Sequence, residues 1–260
     1  MKKRWLISMI ATAVAGYIQA GIILNFTANG TDAGPTAQGW TASGTTLRYY
    51  TNETFGSVSY NAWVFQSVAG DTGDYFLNPG IANTNAMRTD GWTVTYVSRT
   101  ALAPSQGYHR LRLRDGSGYF DLHFVAGSTS SIANGLYLAN AGTGYQLIQS
   151  LDLSGGYNTI QLTYEPLIAG SLNDNDVIKI WINGGEALST TRAACNLGAT
   201  GIIRAEFADA ATGGAGLFAV NQFTLETGIN VIPEPSTLGL FSISVLTILG
   251  IRLRLKNVMK

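Results

Sequence analysis

Residues 110–124 read Arg-Leu-Arg-Leu-Arg, then Asp-Gly-Ser-Gly, then Tyr-Phe-Asp-Leu-His-Phe. Apolar and charged residues alternate on both sides of a four-residue turn, and alternation is the period of a strand with one buried face. Pairing Arg114 with Tyr119 sets Leu113 opposite Phe120 and Leu111 opposite Leu122, with Arg112 opposite Asp121 and Arg110 opposite His123. A slip of one residue would throw every apolar side chain onto the charged face, so this hairpin has one permitted register. Arg112–Asp121 is expected to be an exposed cross-strand ion pair worth under about 1 kcal/mol. The charged face is expected to be a solvated sheet surface rather than a ligand platform.

The same signature continues along residues 22–227. Residues 158–164 put Ile160, Leu162 and Tyr164 on one face, and 177–183 put Ile178, Ile180 and Ile182 opposite Lys179 and Trp181. Residues 92–99, 145–151, 202–207 and 217–226 read as strands, as do 22–26, 45–50 and 58–65. No sustained amphipathic helix interrupts them. About a dozen short strands without helix-length connections predict an all-β protein, an antiparallel sandwich of two packed sheets forming one large domain over residues 21–230.

The ends have a different composition. Lys2-Lys3-Arg4 precedes an apolar stretch over 5–18, with small residues at Gly16 and Ala20. This is the pattern of a signal peptide over 1–20, exported by the Sec machinery and cut by signal peptidase. At the other end Pro233-Glu234-Pro235 is followed by an uncharged apolar span, 237–251, and then by Arg252, Arg254 and Lys256. The two prolines make an extended spacer. The span as a helix covers about 22 Å against a hydrocarbon core of about 30 Å, so this short transmembrane helix needs the snorkelling basic stems to complete it. The basic residues hold the C-terminus in the cytoplasm.

Tripeptide, short span and basic end together resemble the PEP-CTERM sorting signal of Gram-negative bacteria, over residues 231–260. The resemblance implies processing by an exosortase near Pro233, Glu234 and Pro235. It also implies an inner-membrane-tethered precursor that becomes a cell-surface or extracellular protein of a biofilm or exopolysaccharide matrix.

Seven of the sixteen basic residues and one of the sixteen acidic ones lie in these ends, which leaves nine basic and fifteen acidic residues in 21–230, a net of −6. No basic stripe for nucleic acid exists in such a domain. The single cysteine, Cys195, has no partner for an internal disulfide and reads as a small buried apolar residue.

Gly91-Trp-Thr-Val-Thr-Tyr, Gly118-Tyr-Phe-Asp-Leu-His-Phe, Tyr157-Asn-Thr-Ile-Gln-Leu-Thr-Tyr and Val177-Ile-Lys-Ile-Trp-Ile-Asn-Gly184 follow one another as in concanavalin A-like (laminin G-like) jelly-roll domains. The resemblance covers about residues 40–227 and implies a jelly roll, in a family that includes lectins, glucanases and adhesion modules. The glucanase run Glu-x-Asp-x-x-Glu is absent, so no strand supplies the paired carboxylates of glycoside hydrolysis. His109 and His123 are the only histidines and no Gly-x-Ser-x-Gly elbow occurs, so a non-enzymatic role is expected.

Two function classes stay open, a structural or adhesive surface protein and a lectin-like carbohydrate-binding module. Trp181, opposite the isoleucine face of its strand, is the candidate sugar platform. Asp174 and Asp176 offer oxygen ligands to a Ca²⁺ ion, without the regular spacing of a dedicated calcium loop. The expected partners are exosortase, signal peptidase, the membrane and a polysaccharide.

Overall fold

The computed structural model describes residues 21–229 apart from 29–33, 45, 68–72, 103–108, 117, 127–132, 141–143, 172, 196, 198–201 and 210–215. The signal peptide over 1–20 and the sorting tail, with Pro233, Glu234, Pro235, Arg252, Arg254 and Lys256, lie outside the described residues. Among those described, no helix is long and apolar enough to cross a membrane.

The strands in chain order are β1 (Ile22–Thr27), β2 (Thr41–Gly44), β3 (Leu47–Phe55), β4 (Val58–Ser67), β5 (Gly73–Leu77), β6 (Trp92–Leu102), β7 (His109–Asp115) and β8 (Gly118–Val125). They continue as β9 (Gly135–Asn140), β10 (Gly144–Ser150), β11 (Asn158–Glu165), β12 (Val177–Ile182), β13 (Gly185–Thr191), β14 (Arg204–Asp209) and β15 (Gly216–Thr227). An eight-stranded sheet has the order β13-β12-β11-β6-β15-β4-β3, with β1 also pairing β15. A seven-stranded sheet has the order β10-β9-β8-β7-β14-β5-β2. All described pairings are antiparallel, and the two sheets form a jelly-roll-like sandwich.

The predicted hairpin is present in its predicted register: Arg114 faces Tyr119, Leu113 faces Phe120, Leu111 faces Leu122, Arg112 faces Asp121 and Arg110 faces His123. Leu111, Leu113, Phe120 and Leu122 are fully buried. From the other sheet come Val94, Tyr96, Ile160, Leu162, Ile178, Ile180, Phe223 and Leu225. Aromatic rings bridge the layers, with Tyr96 5.8 Å from Phe124 and Trp40 5.2 Å edge-on to Phe223. Each side chain of this size contributes about 1.5–3 kcal/mol by leaving water.

The β12–β13 turn needs two consecutive left-handed residues, which Asn183 (φ 51) and Gly184 (φ 90) supply, as the Asn-Gly pair predicts. Asn183 also accepts from Thr159 N and donates to Asn158 Oδ1, both at 2.9 Å, tying the turn to β11. Cys195 is buried and free, and burial pushes its thiol up to about 12.

The expectation of no helix-length connection is corrected: among the described residues one α-helix, α1 (Ile81–Asp90), joins β5 to β6. Its sequence has few apolar residues and several poor helix formers, so the apolar period is too sparse to read. Met87 and Thr84, one turn apart, are its buried contacts, and Gly91 at φ 78 ends it. The second correction concerns the charged face of the hairpin. It is not fully solvated: Asp121, His123 and Glu206 are buried on it, Glu206 being brought beside the arginines by β14, the neighbour of β7 in the same sheet.

Candidate functional site

Arg110, Arg112 and Arg114 alternate with core leucines along β7 and therefore project from the outer face of the seven-stranded sheet. Register then fixes what surrounds them. Arg112 is flanked by Asp121 on β8 and Glu206 on β14, and Arg114 is flanked by Tyr119 and Arg204. Glu206 is fully buried and is surrounded by the arginine side chains that pair with it. Its Oε1 accepts from Arg110 at 2.5 Å, and its Oε2 lies 3.0 Å from Arg204 and 3.6 Å from Arg114. Arg204 also reaches Asp74 Oδ2 at 3.3 Å and lies 3.6 Å above the Phe76 ring.

Arg112 makes a two-pronged contact with Asp121, Nε to Oδ1 at 2.6 Å and Nη2 to Oδ2. Side-chain exposure is 15% for Arg112 and 2% for Asp121, so this is a desolvated pair and not the exposed one expected. Burial opposes the charge on Asp121, but hydrogen bonds and charge from Arg112 and His123 outweigh it and hold the carboxyl below its usual range. Burial likewise opposes the charge on Arg112, and Asp121 more than restores it. For His123 burial wins over Asp121, so its pKa falls and the ring is neutral near pH 7.

One row of this face runs Arg112, Asp121, Ala139, Tyr145 across β7, β8, β9 and β10. Ala139 is the small member between two large neighbours, and a shallow groove of about 240 Å³ opens over it. The groove is lined by Arg112, Tyr119, Asp121, His123, Gly144 and Tyr145 besides Ala139. Two partly exposed aromatic residues stand beside it: Tyr145, 4.9 Å from the His123 ring, and Tyr119, whose ring lies 4.4 Å below the Arg112 guanidinium. An apolar ring beside a fixed set of charged donors and acceptors is the chemistry of a polar ligand with one apolar face.

The residues singled out in the sequence are not gathered here. Trp181 is half-buried on the outer face of the other sheet, on the far side of the sandwich. It stands in register with Gln161, which is followed by Thr95 and Thr224, two residues lining a separate shallow polar depression. Its indole Nε1 is buried without a hydrogen-bond partner.

Asp176 is fully buried and organises its own loop: its carboxylate accepts from Tyr164 Oη at 2.5 Å, Asn173 N at 2.8 Å and Leu167 N at 2.9 Å. Asp174 pairs with Arg192 at 2.8 Å. A cation at this loop would have to displace those donors, and among the described residues no group of three or more His, Cys, Asp or Glu side chains is placed to hold a metal ion.

His109 is a core residue. It stacks on Phe218 at 3.9 Å and Phe124 at 4.5 Å, and its ring nitrogens meet Tyr96 Oη at 2.6 Å and Thr100 Oγ1 at 3.0 Å. Burial pushes its pKa well below the usual histidine range.

Glu206, Arg204, Ala139 and Tyr145 were not among the sequence candidates. Alternation over 204–207 places Arg204 and Glu206 opposite Ala205 and Phe207, which is a signal for their face but not for their neighbours.

No protein-family model and no curated protein matches the chain. Solved structures do. A carbohydrate esterase of Shiga toxin-encoding bacteriophage phi24B superposes with a TM-score of 0.61 at 15% identity, covering 81% of this chain and 100% of that one. A botulinum neurotoxin type C structure gives 0.51 at 14% identity, covering 81% of this chain and 48% of the toxin chain. The Emp47p carbohydrate recognition domain gives 0.46 at 14% identity, covering 73% and 89%. At these identities the likeness is one of fold, and the fold is a jelly-roll-like antiparallel β-sandwich.

Proposed function

We propose that this protein is an exported, non-catalytic carbohydrate-binding module whose ligand lies in the groove over Ala139. The observation that carries the reading is the exposed Tyr145 ring beside the Arg112–Asp121 pair and His123, all held on adjacent strands by one register. A sugar ring presents an apolar face to stack on tyrosine and hydroxyls to bond Arg112, Asp121 and His123. The jelly-roll-like fold is compatible with the reading, because a neighbour of this fold is a carbohydrate esterase. Asp174 and Asp176 lie outside this groove, and the Asp176 carboxylate accepts from Tyr164, Leu167 and Asn173.

Ala139 faces outward and is not part of the core, so Ala139→Leu fills the groove without touching the sandwich interior. On a glycan array the wild-type chain should bind at least one polysaccharide class. The variant should lose that binding by about tenfold or more, corresponding to about 1.4 kcal/mol, with its thermal midpoint unchanged. Wild-type levels of binding by the variant would take the site off this groove. Failure of the wild type to bind any glycan would leave the structural or adhesive reading of the domain.

Delivery belongs to the same proposal. The sequence pattern at both ends supports export, tethering by 237–251 and exosortase processing at Pro233-Glu234-Pro235, with the domain released to the cell surface or matrix. Replacing the three residues by alanine should leave the precursor in the inner-membrane fraction. Normal release of that variant would reduce the tail to an ordinary anchor.

A further inference from the structure

We infer that the glycan taken by this groove is acidic, and that Arg114 and Arg204 form the subsite for its carboxylate. This rests on the carbohydrate reading above and adds the charge class of the ligand.

Arg114 and Arg204 stand directly opposite one another on neighbouring strands. Like charges in that position destabilise a sheet, so the pair needs an anion near it. Glu206 supplies part of one, but a single carboxylate is shared among Arg110, Arg114 and Arg204, and Arg114 has the longest contact at 3.6 Å. Asp121 is committed to Arg112, and Asp74 to Arg204. Among the described residues four guanidiniums on this face therefore meet three carboxylates, and the arginine with the weakest match is the one with the most exposed side chain, Arg114 at 39%.

The surplus is local. Residues 21–230 as a whole carry a net charge of −6, so the domain as a body repels an acidic polymer while this end of the face attracts it. Donor capacity on Arg114 is also open, because its side chain is the most exposed of the four and its ion pair with Glu206 is the longest. Arg204 is held flat on Phe76, which fixes its fork before any ligand arrives. Arg114 stands in register with Tyr119, a residue of the groove wall, so a sugar held over Ala139 and Tyr145 can present a carboxylate toward the Arg114 end of this row.

The test uses the full chain in detergent micelles, with polygalacturonate and a neutral β-glucan as probes, at low and at high salt. The expected result is at least tenfold tighter binding of polygalacturonate, weakened by salt. Arg114→Gln should remove most of that preference, and Arg114→Lys, a point charge without a fork, should restore only part of it. Thermal midpoints of both variants should stay close to that of the wild type. Equal binding of the two polymers without salt dependence would overturn the acidic subsite and leave the carbohydrate reading standing. Preference for polygalacturonate that survives Arg114→Gln would overturn the assignment to these residues. Binding of neither polymer nor any other glycan would overturn both.

Discussion

Glu206→Ala should cost the domain about 3–5 kcal/mol, the range for removing one member of a buried ion network. Glu206 is fully buried and lies against Arg110, Arg114 and Arg204, so its loss leaves like charges facing each other on β7 and β14 with no counter-charge between them. Glu206→Gln keeps the shape and removes the charge, and it should recover only a minor part of the loss. Urea unfolding read by tryptophan fluorescence measures both. A loss below about 1 kcal/mol, the range of exposed pairs, would mean that solvent already screens these arginines.

Stability should also fall on mild acidification, in a window set by histidine. His109 is neutral in the fold because burial among Phe124, Phe218, Tyr96 and Thr100 lowers its pKa well below the usual value. The unfolded chain, with a histidine pKa of about 6.5, takes up the proton first, so stability is lost as pH falls below that value. The slope approaches about 1.4 kcal/mol per pH unit for one such group for as long as the folded ring stays neutral. His123, also lowered by burial, acts in the same direction. Asp121 does not act here: its pKa is depressed, so its contribution persists through this window and is lost only at lower pH. His109→Gln should show a visibly shallower loss than the wild type over this window. Equal slopes would place the acid sensitivity elsewhere.

Much of the fold is legible because the strand period is local. Alternation over 110–124 allows one register, and the structure has that register. The isoleucines of 178–182 and the Asn183-Gly184 turn are equally local, and they place Trp181 on the outer face, where the structure has it. The sandwich follows, because a set of strands each with one apolar face must bury those faces against another layer.

The site was legible only in part, and for a physical reason. The sequence states that Arg110, Arg112 and Arg114 share a face, but solvation of that face depends on which strand lies beside β7. That strand is β14, which brings Glu206 to Arg110 across 96 residues of chain. No local pattern encodes a pairing of that range, so a face that reads as solvated becomes a desolvated ion network. The groove has the same origin, since Ala139 is unremarkable until β8 and β10 set Asp121 and Tyr145 on either side of it. Residue order along the chain decided which side of each strand is apolar. Only the tertiary structure decided which strands became neighbours, and through that the burial, charge balance and shape of the face where a ligand would bind.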